Sequence, residues 1–138
     1  MKHTGHLWTA SLFVLLWQPT ANAALWTDAT DSTIGTTAEW SNKVTLADVN
    51  GDGRVDILFA NGGGYSSAGT PEPNRVFLNE GPDMSFIEAT EATFGPTPDL
   101  ARVIKVGDVT GDGLADILVG TTYQTQSRLY VGLGDGAY

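Results

Sequence analysis

The sequence predicts an all-β protein built from repeated four-stranded antiparallel sheets, and three observations carry that prediction. The chain repeats itself with a period of 60 residues. Its apolar residues fall in strand-length runs separated by Gly, Asn, Asp and Pro. Beyond an apolar run near its start, no stretch sustains a helical period.

The N-terminal segment reads as a leader rather than as part of the fold. Lys2 gives a basic start, residues 7–17 (LWTASLFVLLW) are uncharged and apolar, and Ala21-Asn22-Ala23 supplies the small-x-small cleavage pattern. That run of 11 residues is shorter than the roughly 20 a membrane-spanning helix needs. Cleavage after Ala23 is expected, followed by a secreted, periplasmic or cell-surface location. No Cys follows the run, which excludes lipid anchoring there.

Removing residues 1–23 from 138 leaves 115, with six Lys and Arg (seven less Lys2) against 16 Asp and Glu, a net charge of −10. His3 and His6 leave with the leader, and the chain has no Cys. Thiolate nucleophiles, Cys/His zinc sites and a His general base are therefore excluded from the remainder. Binding to nucleic acid is also excluded, because phosphate recognition needs clustered Lys and Arg. An acidic surface suits hard divalent cations, whose ligands are oxygens.

Residues 26–60 align on residues 86–120 without a gap, and 13 of the 35 pairs are identical. They include Ala29/Ala89, Thr30/Thr90, Gly35/Gly95 and Asp48/Asp108, while Trp26/Phe86 and Val44/Ile104 are conservative. A period of this length marks a solenoid, propeller or array. The expected strands of the first copy surround Val44-Thr45-Leu46, Val55 to Phe59, Asn74 to Asn79, and Ser85 to Glu88. The second copy offers Val103 to Val106, Asp116 to Val119, and Arg128 to Val131. Four short strands per repeat is the content of one propeller blade. The domain reading is a leader at 1–23, a first blade region at 24–84 and an incomplete second at 85–138. Residues 133–138 read as the turn from a third to a fourth strand, so the sequence stops in mid-blade. Two blades do not close a propeller of about four to eight, so exposed sheet faces and self-association are expected.

Between these runs, residues 61–73 (NGGGYSSAGTPEP) form a polar loop, seven residues longer than in the second copy. It is expected to be an inert, mobile surface loop. Trp26, Trp40, Phe86 and Phe94 are expected to pack between blades. Arg75 and Arg128 match each other across the repeats, which assigns them a structural role.

The chemistry lies in two loops. The first is Asp48-Val-Asn50-Gly-Asp52-Gly53-Arg54-Val-Asp56, and its twin is Asp108-Val-Thr110-Gly-Asp112-Gly113-Leu114-Ala-Asp116. Oxygen side chains at positions 1, 3 and 5 of a tight loop can converge on one cation, with Gly at position 6 permitting the turn. A backbone carbonyl at position 7 and a carboxylate at position 9 complete the shell. Asx capping of a hairpin accounts for one or two such residues, but not for this set twice. Close carboxylates without a cation repel one another. Calcium is the expected ion, bound more tightly at the first loop because Thr110 offers only a hydroxyl where Asn50 offers a carbonyl oxygen.

These loops, followed by Ile57-Leu58, resemble the FG-GAP/VCBS repeats of integrin α-chain propellers and of many secreted bacterial proteins. Asn74 to Gly81 and Phe86-Ile87-Glu88-Ala89-Thr90 carry the same resemblance. It implies calcium held by Asp48, Asn50, Asp52, the Arg54 carbonyl and Asp56. In the second loop the ligands would be Asp108, Thr110, Asp112, the Leu114 carbonyl and Asp116. The expected function is a non-catalytic adhesion module binding an extracellular protein or glycan, alongside further blades of its own chain. The alternative is the propeller part of a secreted enzyme, such as a polysaccharide lyase, with its catalytic residues beyond residue 138.

Overall fold

The computed structural model describes residues 25–134. The leader and the final turn at 135–138 lie outside the described residues. Two antiparallel meanders make up the fold, as an all-β repeat requires. Strands β1 (Ser41–Ala47), β2 (Asp56–Asn61), β3 (Arg75–Gly81) and β4 (Ser85–Glu88) form the first sheet in chain order. Strands β5 (Ala101–Gly107), β6 (Asp116–Thr121) and β7 (Arg128–Tyr130) form the second.

The repeat extends to the register. Val44 pairs with Phe59 as Ile104 pairs with Val119, and both first strands carry an irregularity at the same place, Ser41/Lys43 and Ala101/Val103. Sheet and sequence repeat are nevertheless out of phase by one strand. Ser85–Glu88 opens the second sequence copy but pairs with β3, because Phe77, Leu78 and Asn79 face Glu88, Ile87 and Phe86. Two single helical turns, α1 (Thr30–Thr33) and α2 (Thr90–Phe94), precede the two sheets at matching positions. At four and five residues they are too short to leave a 3.6-residue period in the sequence.

Strands β1 and β2 lie against β5, so the sheets stack face to face. Leu58, Ala60 and Val76 of the first sheet share one buried cluster with Ile104, Ile117 and Val119 of the second. Thr45 Oγ1 donates to the Ile104 carbonyl at 2.8 Å across this interface. Side chains alternate along strands, so Val44, Leu46 and Phe59 occupy the opposite face of the first sheet. Phe94 joins the cluster and meets Tyr130 edge-on, with centroids 5.2 Å apart. Phe86 is half-buried. The two tryptophans depart from expectation: Trp26 and Trp40 are exposed. In the first sheet Ile34 occupies the repeat position of Phe94. The smaller side chain helps leave a cleft of about 290 Å³ beside Phe59, Phe77 and Arg75.

The long loop is not an inert appendage. Arg102 donates to the Gly62 carbonyl at 2.7 Å and also to those of Gly63 and Gly64. Tyr123 Oη donates to the Tyr65 carbonyl at 2.7 Å, and Glu72 pairs with Asp99 in an isolated bridge. The loop is thus fastened to the second sheet. Glycine makes the close approach possible, since a Cβ on Gly62 would sit 2.6 Å from Leu100 Cα. The expectation of a mobile loop missed this because the loop's partners lie 27 (99 − 72) to 58 residues away in sequence.

Candidate metal loops

Each acidic loop joins the first and second strands of its sheet, β1 to β2 and β5 to β6. Gly51 and Gly53 adopt φ of 74° and 82°, and Gly111 and Gly113 adopt 82° and 88°. This left-handed backbone is where glycine avoids the strain other residues incur. The turn wraps around its first carboxylate. Asp48 Oδ1 accepts from the Gly51 and Asp52 N–H groups at 2.8 and 3.1 Å, and Oδ2 accepts from Gly53 at 2.8 Å. Asp108 accepts from Gly111 at 2.6 Å and Gly113 at 2.9 Å.

At position 5, Asp52 Oδ1 accepts from the Arg54 N–H at 2.8 Å. Its Oδ2 accepts from Asn50 Nδ2 at 2.8 Å and from the Arg54 guanidinium at 2.6 Å. Asp112 keeps the backbone bond, from Leu114 at 2.9 Å. With Leu114 in place of Arg54, however, the loop lacks the counterpart of the guanidinium.

The ninth carboxylate is buried in both loops. Asp56 Oδ2 accepts from Val49 and Oδ1 from Asn79 of β3, both at 2.8 Å. Asp116 Oδ2 accepts from Val109 at 2.8 Å and Thr110 at 3.1 Å, and its Oδ1 accepts from Gly132 at 2.9 Å. Asp56 thereby latches its loop to β3, and Asp116 latches the second loop to Gly132, just beyond β7. Sequence reading placed them at the loop's edge but did not show this second attachment.

The twin latches titrate in opposite directions. Burial pushes the Asp56 carboxyl above its ordinary range. The Asn79 and Val49 N–H groups oppose that shift, while Asp52 and Asp48 add to it by repulsion. Asp116 is held below the ordinary range, first by the Gly132 N–H and against burial, with help from Val109 and Thr110.

The ten expected site residues therefore fall into two matching loops at equivalent places. In each loop the donors are all oxygens and three side chains are carboxylates, a set that fits calcium. The repulsion that Asp56 feels from Asp48 and Asp52 is the kind a cation relieves. The carboxylates are held separately by N–H groups. Among the described residues, no three His, Cys, Asp or Glu side chains stand as a ready-made metal cluster.

The structural residue that sequence reading only outlined is Arg75. Its guanidinium holds Glu39 through Nε at 2.9 Å, and contacts Glu39 again and Glu88 through its two terminal nitrogens. Among the described residues, Arg128 forms an ion pair with Asp99 alone, at 3.5 Å. Both arginines bolt sheet to loop, as their matched positions implied.

Repeated antiparallel sheets, each with an acidic turn between its first two strands, define a module of β-propeller type. Residues 63–119 match the model of the FG-GAP-like repeat, and over that stretch the chain is similar to it. No curated protein matches the chain. Among the described residues no helix is long and apolar enough to cross a membrane.

Proposed function

We propose that the chain is a calcium-stabilised propeller module that acts outside the cytoplasm by binding a protein or a glycan, with no catalysis of its own. The observation that carries this reading is the pair of oxygen-rich loops at the same place in both sheets. Asp48, Asn50, Asp52, the Arg54 carbonyl and Asp56 would hold one ion. Asp108, Thr110, Asp112, the Leu114 carbonyl and Asp116 would hold the other. The bound ion would neutralise the crowded carboxylates and fix the first loop against Asn79 of β3 and the second against Gly132, just beyond β7. The leader-like residues 1–23 support export, with Ala24 as the new N-terminus.

Calorimetric titration with calcium tests the proposal, alongside melting with and without chelator. Extracellular calcium modules bind with constants of about 10⁻⁴ to 10⁻³ M. At millimolar calcium this stabilises the fold by about 1 kcal/mol. Asp52→Ala should remove most of the first loop's share. Absence of both heat and melting shift would reduce the loops to turns and end the reading.

A further inference from the structure

Asn-Gly occurs twice in the chain, at Asn50-Gly51 and Asn61-Gly62. Such a pair carries its own electrophile and nucleophile, the side-chain amide carbon and the next backbone nitrogen. Glycine leaves that nitrogen unhindered and free to close a succinimide ring. The fold treats the two pairs oppositely. Asn50 is half-buried in the first acidic loop, and Gly51, Asp52 and Gly53 beside it are exposed. A Cβ built on Gly51 would meet nothing within 4 Å, so the ring has room to form. Asn61 is 0% exposed, and its side-chain amide is held by Glu39 Oε2 at 2.8 Å and the Pro73 carbonyl at 2.9 Å. Gly62 N–H donates to the Trp40 carbonyl at 3.0 Å, and the Leu100 backbone crowds Gly62.

The hydrogen bonds around Asn50 also suit the chemistry. Asp52 N–H donates to Asn50 Oδ1 at 3.1 Å, an Asx turn that folds the side-chain amide back over the Gly51 peptide. The same N–H is aimed at the oxygen on which negative charge develops during attack. Gly51 N–H, the group that must give up its proton, donates to the Asp48 carboxylate at 2.8 Å. From this we infer that Asn50 is a site of spontaneous deamidation, while the fold protects Asn61. The Gly51 nitrogen bonds to Asn50 Cγ, the Cγ–Nδ2 bond breaks, and ammonia leaves with the Gly51 proton. Water then opens the succinimide. Opening at Cγ turns residue 50 into aspartate, and opening at the backbone carbonyl carbon turns it into isoaspartate. Aspartate adds a carboxylate to a loop that already holds Asp48, Asp52 and Asp56. Isoaspartate lengthens the main chain in the turn that wraps Asp48. The twin loop has Thr110 at this position and cannot react, so the modification drives the two loops apart in chemistry.

Peptide mapping by mass spectrometry, after incubation of the whole chain at mildly alkaline pH, tests the inference. Chelator is present throughout, so the result does not depend on calcium binding. The peptide holding Asn50 should gain the amide-to-acid mass difference about tenfold or more faster than the peptide holding Asn61, which must first break buried hydrogen bonds. In denaturant the two should react at comparable rates, as they must if the fold sets the difference. Heavy-oxygen water should label the product, because hydrolysis of the succinimide supplies the new oxygen. Asn50→Thr, which copies the twin loop, should abolish the gain in the first peptide. Equal rates at the two sites of the native chain overturn the inference, and so does the absence of any gain at Asn50.

Discussion

The two copies of the repeat share a pattern and differ in what covers them. Leu58 and Leu118 occupy the same position in their second strands, yet one is 0% exposed and the other 46%. Sequence pattern alone does not distinguish them; only the first has a second sheet against it. Burial in a repeat fold is thus a property of the neighbour as much as of the residue. The largest expected effect follows from this contrast. Leu58→Ala should cost about 3 kcal/mol, the cost of a cavity in a packed core. Leu118→Ala should cost less than about 1 kcal/mol, as an exposed substitution does. Urea denaturation at a concentration where the chain is monomeric measures both. Equal losses would mean that the sheets do not stack through β1, β2 and β5.

The twin latches sharpen the comparison. Asp116 is held in its charged form by three backbone N–H groups, whereas Asp56 has two and bears the repulsion of Asp48 and Asp52. Replacing either by Asn turns an N–H₂ toward a backbone donor. With chelator present at neutral pH, Asp116→Asn should cost about 2 kcal/mol, the scale of a buried polar group losing its partner. Asp56→Asn should cost less, because ionising Asp56 is itself unfavourable in the fold. The pH dependence has opposite signs. Asp116 has a folded pKa below the unfolded value of about 3.9, so its contribution is complete at neutral pH. That contribution is lost as pH falls through the depressed value. Asp56 has a raised folded pKa, so its contribution is present below the unfolded value and lost as pH rises through the folded one. Denaturant melts of the two variants across the acid range separate these slopes.

A smaller effect divides the two arginine clamps. The Glu88 carboxyl is held below its usual range, burial being outweighed by the Arg75 hydrogen bond and charge and the Thr90 hydroxyl. Its stabilisation is present above the unfolded pKa of about 4.3 and disappears as pH falls through the lowered value. Because Glu88 is largely solvated, Glu88→Gln should cost only about 0.5 kcal/mol. Melting in high salt should shrink even that.

Much of this fold was legible because both of its periods are short and local. All seven strands were visible as strand-length apolar runs, Ser85-Phe86-Ile87-Glu88 among them, and the 60-residue repeat matched β1 and β2 to β5 and β6. The phase of the sheets was less evident, since only pairing with β3 shows that β4 closes the first sheet. The loop at 61–73 was misread for a similar reason. Its Gly and Pro content describes a flexible chain, whereas Arg102 and Tyr123, which fasten it, lie far along the sequence. Among the site residues, Asp56 and Asp116 showed their acidity at position 9, but not their bonds to Asn79 and Gly132. Trp26 looked like packing material and stands exposed. Nothing local tells an aromatic side chain whether its partner surface is present.

The acidic loops themselves differ in a way that bears on the calcium binding proposed for them. Composition favours the first loop, because the Asn50 carbonyl oxygen is a better donor to a hard cation than the Thr110 hydroxyl. The structure adds an opposing influence. The Arg54 guanidinium sits 2.6 Å from Asp52 Oδ2, where it neutralises a carboxylate that calcium would need. Leu114 brings no charge to the corresponding place. Arg54→Leu keeps the position-7 carbonyl and removes only the competing cation, so calcium affinity at the first loop should rise. The pair is partly exposed, at 39% and 22% of the two side chains. The gain is accordingly that of a solvated ion pair, about two- to threefold in affinity. Leu114→Arg should lower affinity at the second loop by a similar factor. Titration calorimetry of both variants at fixed ionic strength reads the difference, with circular dichroism to confirm the fold. If neither affinity moves, the guanidinium is not a competitor, and the order of the loops rests on Asn50 and Thr110 alone.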